Sequence, residues 1–200
     1  MKQNILLINC YREAADSKIA GYREWLKAGA VAAGVELTVR EAADGQALPG
    51  SGEFSGVIVS GSQKMVGAGE AEPGLLAFLS ENRRPLLGIC YGHQVLAAAF
   101  GCQVKKDGRK HLGDEEIFIK KAQGLFSAFP PVFTMRQSHA EIVVRDQALE
   151  KNFLVPALNG SGRVESIAHR EHPLHGVQFH PEKSGQAGIQ LLVNFLNMMK

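Results

Sequence analysis

A chain of 200 residues with 45% hydrophobic and 21% charged side chains has enough interior for a core without disulfide staples, and it carries only 3 cysteines. A formal charge of +2 excludes an electrostatic case for nucleic acid or an anionic membrane surface. The opening MKQNILLINC is too short to span a bilayer and is interrupted at Asn9, so no membrane role and a cytoplasmic location are expected.

In chain order, Ile5 to Ile8 reads as a first buried strand. Ile19, Tyr22, Leu26 and Ala30 then recur at helical spacing, and Gly34 is the stop. Val35 to Val39 and Val57 to Ser60 read as the second and third strands. Leu75 to Leu79 belong to a helix that ends before Pro85, Leu86 to Ile89 is a short apolar strand, and Val95 to Phe100 is a helix closed by Gly101. This βαβα order predicts a flavodoxin-like, doubly wound α/β fold on a mainly parallel sheet.

The second half changes character. EEIFIKK, PVFTMRQ, FLVPALN, VESIAHR and LHGVQFH are short strands between turn residues. They predict either an extension of the sheet or a smaller antiparallel β layer. A final helix from Gln186 to Met199 carries Ile189, Leu192, Val193 and Leu196 on one face. No linker, repeat or low-complexity stretch divides the chain, so residues 1–200 read as one domain.

Chemistry concentrates at PLLGICYGHQ, where Gly88-Ile89-Cys90-Tyr91-Gly92 joins a strand to a helix. Gly-x-Cys-x-Gly in that setting has the pattern of a nucleophile elbow. The turn is so sharp that side chains two positions either side of the nucleophile would collide with backbone. The helix N-terminus beyond it favours the thiolate, the reactive form. Cys10 and Cys102 lack such a setting and read as small buried core residues. No C-x-x-C pair or Cys/His cluster with zinc spacing occurs, and neither a metal nor a cofactor is expected.

A cysteine nucleophile needs a base, and the base needs an orienting group. In GVQFHPEKSG, His180 and Glu182 are two apart, and in an extended segment they point to the same side. Pro181 between them favours an extended His180. On its own that pair reads more readily as a surface ion pair.

The combination is informative. Gly88-Ile89-Cys90-Tyr91-Gly92-His93-Gln94, followed by Phe179-His180-Pro181-Glu182, resembles the class I (triad-type) glutamine amidotransferases. VIVSGS at 57–62 falls where that family has a strand ending in a Gly-Gly-Pro-like turn. RQSHAEIV at 136–143 is similar to the Ser-His-Gly-Asp stretch of GMP synthase amidotransferase domains. The resemblance implies that Cys90 attacks the side-chain amide of L-glutamine, His180 moves the proton and Glu182 orients His180. It implies an oxyanion hole from backbone groups of Gly61, Ser62 and Tyr91. It places Gln94, Ser138, His139 and Ala140 around the substrate, partly through backbone atoms.

Ser62 and Gln63 depart from the Gly-Pro of the family turn, so a peptide that flips into place when a partner docks is expected. Ala140-Glu141 replaces Gly-Asp, which leaves Glu141 at the substrate amine, at a partner surface or on the plain exterior. His93 is expected to pack or to meet a partner, and Trp25 to face the core. CYREAADSKIAGYREW after the first strand fits neither the GMP synthase type nor the imidazole glycerol phosphate synthase subunit well. With no phosphate-binding loop in the chain, the expected partner is a separate ammonia-accepting synthase subunit; oligomeric state is left open. Two other readings remain at this point: a stand-alone γ-glutamyl hydrolase or peptidase, and a catalytically silent regulatory subunit. A redox-protective cysteine-elbow protein would need no His-Pro-Glu segment about 90 residues downstream.

Overall fold

Successive side chains of a strand face opposite sides of the sheet, and the short runs ILLI, GVIV and LLGI are apolar on both. Such strands must be covered twice, and they are. The computed structural model describes residues 2–199; Met1 and Lys200, the ends of the expected 1–200 domain, lie outside the described residues. The elements are β1 (Lys2–Asn9), α1 (Ala15–Ala33), β2 (Glu36–Ala43), β3 (Gly56–Val59), α2 (Pro73–Glu81), β4 (Leu86–Ile89) and α3 (Tyr91–Ala99). They continue with β5 (Val104–Ile119), β6 (Val132–Val143), α4 (Gln147–Asn152), β7 (Phe153–Asn159), β8 (Val164–His169), β9 (Leu174–Val177) and α5 (Gly185–Asn197).

Among the described residues all nine strands belong to one sheet, in the order β2-β1-β3-β4-β9-β8-β7-β5-β6. The half from β2 to β9 is parallel, and the half from β9 to β6 is antiparallel. Of the two placements open for the later strands, extension of the sheet is the one realised; they do not form a separate layer. Ile5, Leu7, Ile58, Leu87 and Val177 bury one face against Tyr22, Trp25 and Leu26 of α1 and Leu192 and Phe195 of α5. Leu6, Ile8, Val57, Val59 and Leu86 bury the other against Leu75 and Leu79 of α2 and Val95 and Leu96 of α3. Among the described residues no helix is long and apolar enough to cross a membrane.

Several elements differ from the sequence reading. β5 begins at Val104, well before EEIFIKK, because Lys105 and Lys106 and, beyond an irregularity, His111 to Asp114 pair with β6 although their polar pattern carries little strand signal. α3 begins at Tyr91, not Val95, since the helix starts on the elbow itself. The short α4 was missed, although Asp146 caps it by accepting the Leu149 N–H at 2.7 Å.

Candidate active site

Cys90 sits where β4 ends and α3 begins, with φ 53° and ψ −101°, a sparsely populated conformation for a non-glycine residue. The flanking glycines are required by space. A Cβ on Gly88 would lie 2.5 Å from the Gly92 carbonyl oxygen, and one on Gly92 2.5 Å from that of Val59. Sheet order then unites residues far apart in sequence. β4 lies beside β9, Ile89 is in register with Val177, and the Cys90 N–H donates to the Val177 carbonyl at 2.8 Å. The chain beyond β9 therefore delivers His180 and Glu182 to the elbow.

His180 Nδ1 meets Glu182 Oε1 at 2.7 Å, and both side chains are buried. The proton on Nδ1 is thus held by the carboxylate, leaving Nε2, which is buried without a hydrogen-bond partner among the described residues. Burial pushes this imidazole down, but the charge of Cys90 and the Glu182 carboxylate outweigh it and raise His180 to about 10. The backbone around it is tied as well. The His180 N–H donates to the Arg136 carbonyl at 2.8 Å, and Ser184 Oγ donates to the His180 carbonyl at 2.7 Å.

The turn at 60–64 is held from several sides. The Gly61 N–H donates to Tyr22 Oη at 2.9 Å, so this member of the expected oxyanion group is already committed. Among the described residues no acceptor receives the N–H of Ser62 or Tyr91. Ser62 Oγ donates to the Cys10 carbonyl at 2.7 Å and accepts the Lys64 N–H at 3.1 Å. Lys64 Nζ is buried between Asp44 at 2.7 Å and Glu72 at 3.0 Å. A turn expected to settle only on docking is fastened within the chain.

The remaining expected positions divide. Cys90 Sγ donates to the Ser138 carbonyl at 3.7 Å, so Ser138 approaches the sulfur through its backbone while its side chain is exposed. Ala140 shares that strand face. His139 points the other way, stacked on His111 with centroids 4.6 Å apart, and burial pushes it down to about 4. Its ring is part of the buried layer, so any contact of His139 with the substrate is left to its backbone. Gln94 Nε2 donates to the Glu141 carbonyl at 2.9 Å and to Gln178 Oε1 at 3.0 Å, and Gln178 Nε2 donates to Cys90 Sγ at 3.7 Å. Gln178 was not anticipated; it is the β9-side neighbour that the parallel pairing brings to the elbow. Glu141 is buried, not exterior, and its carboxylate accepts the Gly67 N–H. His93 is fully buried in packing, and Trp25 faces the core as expected.

Behind Gln178 lies a carboxyl that sequence reading did not mark. Glu165 is fully buried, accepts from Gln137 Nε2 at 2.8 Å, and has its second oxygen unpartnered among the described residues. Burial is the main cause that raises it from 4.5 to about 8. A carboxyl whose folded value lies above its unfolded one supports folding below about 4.5 and loses that support as pH rises towards 8. At about 1.4 kcal/mol per pH unit this amounts to several kcal/mol. Glu165→Gln is therefore expected to remove much of the loss of stability between pH 4.5 and pH 8. Urea unfolding of both proteins across that interval checks it; parallel profiles would contradict the burial argument.

Known proteins resemble this chain in sequence and in fold. A family model described as "Glutamine amidotransferase class-I" matches residues 16–199. A subunit of the glutamine-hydrolyzing GMP synthase of Methanococcus aeolicus is 35% identical over 144 residues, covering 72% of this chain and 73% of that protein. The corresponding GMP synthase subunit of Methanopyrus kandleri is 35% identical over 146 residues, covering 72% and 75%. The glutamine-hydrolyzing GMP synthase of Borreliella burgdorferi strain N40 is 36% identical over 145 residues, 27% of its length. A crystal structure from Thermoplasma acidophilum, described as a GMP synthase subunit, superposes with a TM-score of 0.79 at 20% identity, covering 98% of this chain and 94% of that one, a likeness of fold.

Proposed function

Because the chain belongs to the class I glutamine amidotransferase family, we propose that it hydrolyses the side-chain amide of L-glutamine and passes the ammonia to a separate synthase subunit. Relatives named as glutamine-hydrolyzing subunits of GMP synthase support the GMP-synthase-like form of this reading. The observation that carries it is the strained Cys90 at the mouth of α3, beside an imidazole that Glu182 holds by one nitrogen.

Cys90 Sγ, as thiolate, adds to the amide carbon, and the carbonyl oxygen becomes an oxyanion. The free N–H groups of Ser62 and Tyr91 are its donors. His180, protonated at Nε2, gives that proton to the departing nitrogen, and ammonia leaves a γ-glutamyl thioester on Cys90. Neutral His180 then takes a proton from water as the hydroxide adds to the thioester carbon. Collapse breaks the C–S bond, releases the γ-carboxylic acid, which loses its proton to solvent as glutamate, and restores the thiolate–imidazolium pair. Glu182 keeps the ring oriented through both steps and stabilises its charged form. Gln94, through its hold on Gln178 and the Glu141 carbonyl, shapes the wall beside the sulfur, and Ser138 and Ala140 offer backbone groups to the substrate's amino and carboxylate ends. Residues 1–200 act as a single amidotransferase domain in the cytoplasm.

The purified chain incubated with glutamine is expected to release glutamate and ammonia in equal amounts, and to cleave a γ-glutamyl dipeptide more slowly. A chain that turns over the dipeptide but not glutamine would replace this reading with the peptidase one. A chain that forms no thioester with glutamine would leave only the regulatory one.

A further inference from the structure

Tyr22 lies in the segment after β1 that fits neither branch of the family, and its hydroxyl, hydrogen-bonded to Tyr11, accepts the N–H of Gly61 at 2.9 Å. We infer that Tyr22 and Ser60 are positioning residues for glutamine hydrolysis, because together they clamp the two peptide planes on either side of Gly61 and so aim the N–H of Ser62. This rests on the function proposed above and adds to it a group outside the Cys90, His180 and Glu182 set.

Gly61 has no Cβ to restrict it, so the planes flanking it turn easily unless something holds them. Tyr22 Oη holds the preceding plane. Ser60 Oγ holds the following one, donating to the Gly61 carbonyl at 2.9 Å while accepting the Cys10 N–H at 3.0 Å. In a trans peptide the N–H points opposite to the carbonyl of the same plane. The direction of the Gly61 carbonyl therefore dictates that of the Ser62 N–H. The glycine itself is demanded by crowding. A Cβ there would lie 2.8 Å from Tyr11 Oη, 3.1 Å from His180 Cε1 and 3.4 Å from Tyr22 Oη. Two tyrosine hydroxyls and the imidazole thus gather on one side of this residue.

The tyrosine is well braced for such a task. Tyr22 is fully buried, edge-on to Tyr11 and to Trp25 with centroids 6.4 Å apart in each pair. Trp25, one turn further along α1, donates from Nε1 to the Gly188 carbonyl of α5 at 2.9 Å. One helix face therefore registers the oxyanion turn against the helix that follows His180 and Glu182. A phenylalanine would pack as well, so the hydroxyl has to be explained by the hydrogen bond it makes. Without it the 60–61 plane is released, and the Ser62 N–H spends less time on the developing oxyanion. That charge exists only after the carbon–sulfur bond has begun to form, so the loss falls on kcat and spares KM.

Tyr22→Phe is expected to lower kcat for glutamine about 10- to 100-fold with KM held within about two-fold. Iodoacetamide alkylation separates turn from triad. It forms a sulfur–carbon bond at a saturated carbon with loss of iodide, needs no oxyanion donor, and reports only the thiolate. Its rate on Cys90 should be the same in Tyr22→Phe and the parent. Ser60→Ala, which frees the other plane, is expected to give the same signature and serves if Tyr22→Phe does not fold. Unchanged kcat overturns the inference. So does an alkylation rate that falls in step with kcat, since the defect would then lie in the Cys90–His180 pair. A parent chain without glutamine hydrolysis overturns the proposed function and this inference together, whereas an active parent with a fully active Tyr22→Phe overturns the inference alone.

Discussion

Cys90→Ala is expected to abolish glutamine hydrolysis, lowering kcat by at least about 10⁴-fold, while leaving the fold in place. Loss of a nucleophile removes the covalent route altogether, and what remains of binding and oxyanion donors cannot replace it. The side chain is small and buried at the end of an interior strand, and its hydrogen bonds to the Ser138 carbonyl and from Gln178 Nε2 are long, at 3.7 Å each. Alanine loses little packing there, but it keeps the φ of 53° and its strain. Cys90→Gly should therefore be equally inactive yet more stable than Cys90→Ala by about 1 kcal/mol. Ammonia release from glutamine measures the first claim and thermal unfolding the second. Sustained ammonia release from either variant would place the chemistry elsewhere.

The second large effect acts through shape. Gly188 in α5 faces the short 3₁₀ turn Pro181–Lys183, and a Cβ on it would lie 1.8 Å from the Pro181 carbonyl oxygen and 2.8 Å from the carbonyl carbon. No rotamer relieves a clash with backbone, so Gly188→Ala must push α5 and this turn apart. Overpacking of this kind costs about 3 kcal/mol or more. Pro181 stands between His180 and Glu182, so the displacement reaches the proposed base and its orienting carboxylate, where about 1 Å is worth on the order of 100-fold in rate. A lowered unfolding midpoint together with a fall in kcat is expected. Retention of both would show that the approach of α5 to this turn is looser than described. An alanine at Gly74, around which nothing lies within 4 Å, is the control.

Much of this was readable from local pattern. Apolar runs such as ILLI and VIVS mark strands that must be covered on two faces, and an elbow flanked by Gly88 and Gly92 marks a turn no other residue fits. Those signals are short-range, because sterics within a few residues create them. The proximity of His180 to Cys90 could be inferred only by resemblance, since nothing between the two positions states that β4 and β9 are neighbours.

What the sequence determined by itself was therefore the class of fold, the glycine-flanked elbow that carries Cys90 and the pairing of an imidazole with a carboxylate two residues away. The tertiary structure alone decided that the later strands extend the sheet, that Glu141 and Glu165 are buried, that the His139 ring turns away from its neighbours' face, and that the Gly61 N–H belongs to Tyr22. The physical reason is common to all four. Each depends on which partner lies across a packed interface, and hydrogen-bond satisfaction and burial are properties of that neighbour as much as of the residue itself.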